Sequence, residues 1–423
     1  MAHPPSESPR SPGTTQPPES VLELLELLGV AMCEAGESTD RITMILDEVA
    51  TSFGTHGVRY FVLPTGVFVR VEAGGATRVD FTPAGNVALR LDQVDALYRL
   101  IDDLRHQRTD LEAARARLDG LRAAKPRFGP LGTILGTPVL ILGLGLMLNP
   151  SPDAIPAYLV LGLVVGGLRW WAERVHTLSL VLPVVAAFVV TWVSFGIVAP
   201  LLGVPPLDLV IPSLITFLPG AALTMGTVEL SLGAMIAGSS RLVYGLARLL
   251  LLSFGITVGV QVAGLPASLP DPGPGLGAWA PWVGVVVIGL GHYLASSVPR
   301  RTFGWMLVVL YTAYAVQAVA GALLGSLGGS FLAAAVVLPV AYAIHDRGGG
   351  PPVPVTFLPA FWLLVPGALG LEGVTEMVDA NQAAGLGDLV NAFLTIVAIA
   401  IGVLVGAGIA ERTGRLTATW NGV

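Results

Sequence analysis

Residues 212–229 read PSLITFLPGAALTMGTVE and residues 359–376 read PAFWLLVPGALGLEGVTE. The stretches lie 147 positions apart. Each places a Pro-Gly-Ala triplet seven residues after a first proline, a glycine seven residues after the second proline, and a glutamate ten after it. Working outward at the same offset, Ala237-Gly238 falls on Ala384-Gly385, Leu242-Val243 on Leu389-Val390, Gly255 on Gly402 and Gly259 on Gly406. Apolar composition alone does not preserve an order of Gly, Pro and Glu, so the chain carries an internal repeat. From Leu131 onward, apolar runs near the ~20 residues that cross a bilayer recur. There are ten, at 131–148, 154–172, 178–198, 207–229, 242–262, 278–296, 303–321, 329–345, 353–371 and 388–410. The offset lays the first five on the second five. Five is odd, so the second set must enter the membrane from the opposite side. The expected fold is a polytopic α-helical membrane protein. Ten transmembrane helices form two inverted five-helix repeats, 128–265 and 266–412, preceded by a small α+β domain.

Composition agrees. Of 423 residues, 53% are apolar and 12% charged, with a mean hydropathy of +0.73. That charge density is about half the usual for a soluble domain. Residues 1–127 hold 14 of the 23 Lys+Arg and 18 of the 29 Asp+Glu, which makes a polar third ahead of the apolar part. Cys33 is the lone cysteine, excluding an intramolecular disulfide and a Cys-based zinc cage. Lys125, the single lysine, lies in Ala-Ala-Lys-Pro, which excludes a phosphate-binding Walker loop. The six histidines are scattered, and no dinucleotide fingerprint occurs. No cofactor, metal or nucleic-acid partner is expected.

Residues 1–20 contain six prolines and no Leu, Ile, Val, Phe, Trp or Tyr, so a disordered tail is expected. Residues 21–127 then read as the α+β domain. Val21, Leu25, Leu28 and Met32 mark one helix; Ser38-Thr39-Asp40 opens a second that Gly54 stops. Val58–Leu63, Val67–Glu72 and Thr77–Phe81 read as strands, with Val67, Val69 and Val71 alternating against Phe68, Arg70 and Glu72. A long helix is expected over about 92–124, carrying Leu97, Leu104, Leu111 and Leu118 at sevens. Its second seam holds Arg108, Arg115 and Arg122, so the stripe is expected to pack on its own domain rather than form a coiled coil.

No apolar run follows a basic start, so no cleaved leader is expected and the polar domain should stay in the cytoplasm. The loops then alternate in agreement with the positive-inside rule. The outer connections 149–153, 199–206, 263–277, 322–328 and 372–387 hold no Lys or Arg, whereas every inner connection holds at least one. Both termini, including a tail at 413–423, are expected inside.

Proline removes a backbone donor and glycine tolerates the resulting distortion, so Pro219-Gly220 and Pro366-Gly367 should break their helices at bilayer depth. Paired breaks in an inverted repeat point to a substrate site, against the alternative of packed kinks. Glu229 and Glu376 are candidates to hold a substrate ammonium or carry a coupling proton, or else are helix-end residues in the headgroup region. Arg248 is an intramembrane cation that can pair a carboxylate or snorkel outward. Asn391 completes the candidate set; Gln261, Gln317 and His292 read as hydrogen-bonding residues between helices. Gly162-x-x-x-Gly166, Gly255-x-x-x-Gly259 and Gly402-x-x-x-Gly406 read as close-packing faces.

The chain resembles the threonine/serine exporter (ThrE) family. Leu28-Gly29, Glu34-Ala35-Gly36-Glu37-Ser38-Thr39-Asp40-Arg41, Phe53-Gly54 and Val62-Leu63-Pro64-Thr65-Gly66-Val67 carry the likeness. So does the order of parts, a helical lead into five segments and a fused second five with Pro366-Gly367, over about residues 21–410. The resemblance implies proton-driven efflux of small hydroxylated amino acids across the bacterial plasma membrane. Relatives with the two halves on separate chains are linked to succinate export, so a dicarboxylate remains an alternative substrate. A membrane-anchored enzyme or sensor acting through residues 21–125 is the alternative of another class. The expected partners are a small amino acid, a coupling proton and the bilayer; a homo-oligomer is left open.

Overall fold

The computed structural model describes residues 19–73, 76–85, 88–172, 174–264, 273–347, 350–364 and 382–412. Its contacts divide the chain into two units, one with residues up to 88 and 99–121, the other with residues 89–98 and from 122 onward.

In the first unit, α1 (Glu19–Glu34) and α2 (Thr39–Ser52) cover an antiparallel sheet of order β1-β2-β3 (Arg59–Leu63, Gly66–Ala73, Ala76–Pro83). The alternation expected in β2 is present, with Val67, Val69 and Val71 buried under the helices. Gly29 lets α1 approach: a Cβ there would lie 3.0 Å from Val67 Cγ2. Opposite, Phe61, Phe68 and Phe81 align across the three strands, the last two with ring centroids 4.4 Å apart.

The expected long helix over 92–124 is two helices, α3 (Leu91–Arg105) and α4 (Leu111–Ala123). Gln107 turns the chain with φ 53°, and Asp110 starts α4 by accepting a hydrogen bond from Ala113 N at 2.7 Å. Leu97, Leu104 and Leu118 are fully buried, so the leucine stripe is a core stripe.

The second unit is helical. α5 (Gly129–Met147), α6 (Ala154–Ala172) and α7 (His176–Val193) are followed by a π-helical segment, Ser194–Val198, and the short α8 (Ala199–Leu202). Next come α9 (Pro206–Leu214), a 3-10 turn (Ile215–Phe217), α10 (Gly220–Ser231) and α11 (Met235–Ala263). The chain continues through α12 (Ala280–Ala295), α13 (Arg300–His345), α14 (Val353–Leu364) and α15 (Gln382–Arg412). Against the expectation of ten spans, six helices among the described residues are long and apolar enough to cross a membrane, seven if the bent α9–α10 pair is one span. α12 and α14 are apolar but shorter. Two of the expected segments lie within α13, on either side of Gly325, where the helix kinks with φ 80° and ψ 173°.

Glycine lets these helices touch backbone to backbone. A Cβ on Gly136 would sit 2.5 Å from Ala295 N, on Gly143 2.6 Å from Ile288 N, and on Gly291 2.6 Å from Leu140 N. The partners descend as the chain ascends, so α5 and α12 run antiparallel. On α11, a Gly255 Cβ would meet Val184 O at 2.6 Å, Ala187 Cβ at 2.8 Å and Phe188 N at 3.2 Å. On α15, a Gly402 Cβ would meet Phe331 O, Ala334 Cβ at 2.8 Å and Ala335 N at 3.2 Å. Adding 147 to each residue around Gly255 yields the surroundings of Gly402, and Phe188 O against Gly259 recurs as Ala335 O against Gly406.

This packing makes a prediction. Gly402→Ala should push α15 off α13 and lower stability by about 1–3 kcal/mol, the usual result of overpacking. Gly167→Ala on α6, where a Cβ meets nothing within 4 Å, should be neutral or stabilising by up to about 1 kcal/mol. Thermal unfolding of the two purified variants compares them; equal midpoints would deny the close approach.

Candidate functional site

The first Pro-Gly pair breaks its helix. α9 begins on Pro206, relaxes into the 3-10 turn, and stops at Leu218, which is extended with ψ 135° because the following proline disfavours helix there. Pro219 then caps α10, and the two arms meet at 54°. Leu223 N donates to Pro219 O at 3.0 Å, whereas the amides of Gly220, Ala221 and Ala222 have no carbonyl four residues back within α10. Those amides give the break the positive end of a helix dipole. Pro219 and Gly220 are both buried.

Hydroxyl groups flank the break. Thr224 is fully buried one turn into α10, and its Oγ1 and that of Thr216 in the 3-10 turn have no hydrogen-bond partner among the described residues. The π-helical segment packs on α9, and there Ser194 and the preceding Thr191 are fully buried with hydroxyls equally unsatisfied. Buried hydroxyls nearly always find a partner, and π-bulges concentrate at functional sites. Thr216 and Thr224 thus place two such hydroxyls on either side of the break.

At the far end of α10, Glu229 has no exposed surface and accepts a hydrogen bond from Arg241 Nε at 2.9 Å. Gly226 and Gly238 make this possible. A Cβ on Gly226 would stand 2.9 Å from Gly238 O, and one on Gly238 2.7 Å from Gly226 O. α10 and α11 run antiparallel in backbone contact, and the Arg241 side chain reaches across that contact to Glu229. Glu229 is therefore neither an exposed headgroup-region residue nor an isolated carboxylate.

The other sequence candidates fall apart spatially or in kind. Arg248 donates through Nη1 to Tyr244 Oη at 2.9 Å, one turn back on α11, and its buried Nε has no hydrogen-bond partner among the described residues. Asn391 is exposed on α15, and its carbonyl accepts from Thr395 Oγ1. His292 is buried with its ring 5.3 Å from that of Trp362. Pro366, Gly367 and Glu376 lie outside the described residues. Sequence reasoning missed Arg241, Thr224 and the π segment.

The polar unit holds an open cleft between α1 and the sheet, lined by Glu19, Glu23, Glu26, Asp80 and Arg78. Its charges are mostly internally matched: Arg78 meets Glu19 at 2.8 Å, and Arg115 clasps Glu23 with 2.7 Å between Nη2 and Oε1. Burial raises the proton affinity of Glu26, while a hydrogen bond from Thr82 opposes it. The arrangement ties the sheet to α1 and supplies no nucleophile.

The family model described as "Putative threonine/serine exporter" matches residues 23–263, more than half of the chain. The chain is also similar to pheromone-regulated membrane protein 10 of Candida albicans, in strains WO-1 and SC5314, at 30% identity over 190 residues. The match takes in 42% of this chain but only 16% of each relative. No solved structure matches. The family match spans the polar unit, the broken α9–α10 pair and α11 in one continuous stretch, and the multi-pass chain therefore belongs to the threonine/serine exporter family of membrane transport proteins.

Proposed function

We propose that the chain is a secondary active exporter of small polar amino acids of the threonine/serine class, driven by the proton gradient across a bacterial plasma membrane. Ten crossings form two inverted five-helix halves, and both termini are cytoplasmic. The observation that carries the reading is the 54° break at Pro219-Gly220. Free amides at the start of α10 suit a substrate carboxylate, and the unsatisfied hydroxyls of Thr216 and Thr224 suit its hydroxyl and ammonium groups. The recurrence of the α7–α11 contact in α13–α15, and the antiparallel pairing of α5 with α12, support the inverted relation of the halves.

Glu229 and Glu376 then take different parts. Glu229 is already neutralised by Arg241. In sequence, the positions 147 beyond these two are Glu376 and Asp388, two acids in place of an acid and a base. Glu376, the acid for which the repeat counterpart of Arg241 is not a base, is the better candidate for a proton carrier. Arg248, outside any ion pair among the described residues, remains a second candidate to attract an anion.

The test is export from cells loaded with labelled threonine, serine, lysine or succinate. Threonine and serine should leave fastest, and a protonophore should stop accumulation against a gradient. Export of none, or of succinate alone, would overturn the substrate assignment. In the same cells, Asp153→Cys should react with an impermeant thiol reagent and Arg347→Cys should not; both positions are exposed and native Cys33 is buried. The reverse pattern would invert the orientation.

A further inference from the structure

Where α12 ends and α13 begins, two guanidinium groups converge on one phenol. Arg127 Nη1 donates to Tyr293 Oη at 3.4 Å, and Arg300 Nε donates to the same oxygen at 3.3 Å. Both arginines are exposed, and neither meets a carboxylate among the described residues. The adjacent Arg301 differs, since it holds Asp95 at 2.7 Å. Tyr293 is a neutral acceptor, so the two positive charges gathered around it stay uncompensated, and each guanidinium retains further N–H donors beyond this bond.

The arginines are not loosely hung. Arg127 N donates to Ser297 Oγ at 3.3 Å, and its Nη1 also reaches Val298 O at 3.4 Å. Ser297 takes φ 54°, the turn that brings the α12–α13 connection back against residue 127. Around them lies an aromatic floor: the Tyr293 ring is 5.6 Å from Phe128 and 5.3 Å from Phe303, and the Arg127 guanidinium carbon lies 5.9 Å from the Tyr293 ring centre. All of this sits at the ends of apolar helices, α5 and α12, where a chain leaves the hydrocarbon and meets headgroups.

We propose that Arg127, Arg300 and Tyr293 form a binding site for the phosphodiester of an anionic phospholipid. Guanidinium forks match the geometry of phosphate oxygens, and basic pockets at helix ends are where such headgroups lodge. The aromatic floor argues for lipid over free phosphate, because Phe128 and Phe303 offer apolar surface to the glycerol and upper acyl region that an inorganic ion has no use for.

The test uses the purified full-length protein in detergent, with phosphatidylglycerol, phosphatidylcholine or inorganic phosphate added. A ligand that binds the folded state raises its unfolding midpoint. Phosphatidylglycerol should raise it by several degrees and the other two should not. The double variant Arg127→Gln/Arg300→Gln should lose at least half of that shift and retain one phospholipid fewer per chain by native mass spectrometry. Arg174→Gln, which removes a cation lying 3.9 Å from the Trp170 ring elsewhere, should keep the full shift. If the double variant does not fold, either single variant gives the same reading. A full phosphatidylglycerol shift in the glutamine variants would overturn the site. An equal shift with inorganic phosphate would overturn its assignment to lipid.

Discussion

Gly220→Leu should cut export roughly 100-fold while leaving folded protein in the membrane, the size of effect that a small misplacement at a reacting centre produces. Gly220 is buried as the first residue of α10, beside the amides that the broken helix leaves open. A leucine there fills the break and covers those amides without altering a charge. Gly220→Ala, adding one methyl, should give an intermediate loss. Measuring initial export rates at matched membrane abundance, with detergent-solubilised monodispersity as the folding control, separates binding from assembly. If the leucine variant exports normally, the break is an ordinary kink and the substrate sits elsewhere.

The second large effect is on stability. Glu229→Gln should destabilise the chain by about 3–5 kcal/mol, because Arg241, itself nearly buried, loses the carboxylate that offsets its desolvation. Replacing both partners, Glu229→Leu with Arg241→Leu, should recover most of that loss, since a well-packed apolar pair substitutes for a buried ion pair at little cost. The same experiment tests the division of labour between the two glutamates. Glu376→Gln should leave unfolding unchanged and remove accumulation against a gradient, with exchange of substrate retained. A Glu229→Gln variant as stable as the parent would deny the buried pair its structural part. A Glu376→Gln variant pumping uphill with unaltered pH dependence would move the proton carrier elsewhere.

Much of the fold was legible because it is written in period and punctuation. Val67, Val69 and Val71 announced which face of β2 is buried, and Pro219-Gly220 announced where the fourth apolar segment breaks. The split between α3 and α4 was hidden by the same logic. Leucines at sevens continue across Gln107 because both helices bury that stripe, and the local sign of a new start, Asp110 ahead of Ala113, is a single residue against a long regular pattern. The π segment left no mark, for one extra residue per turn in an apolar run changes neither composition nor spacing enough to see. The break at Pro219 and Gly220 was legible from their chemistry, yet the Glu229–Arg241 pair was not. That pairing is set by a glycine contact between two helices, and pairwise contact is a property of the fold before it is a property of the string.

The glycine seam between α5 and α12 has a consequence for how such a chain is assembled. Exchanging the halves by 147 positions keeps the antiparallel register of that seam: position 140 opposite 291 becomes 287 opposite 144, in step with Gly143 against Ile288. A contact that maps onto itself is isologous, the kind a symmetric dimer uses. A half-length chain bearing the α5 stripe would hold both faces of this joint and could dock against a second copy, but only if that copy were inserted upside down. Joining the halves covalently removes the need for a protein to enter the membrane in two orientations, and it frees each half to diverge, an acid and a base in one, two acids in the other.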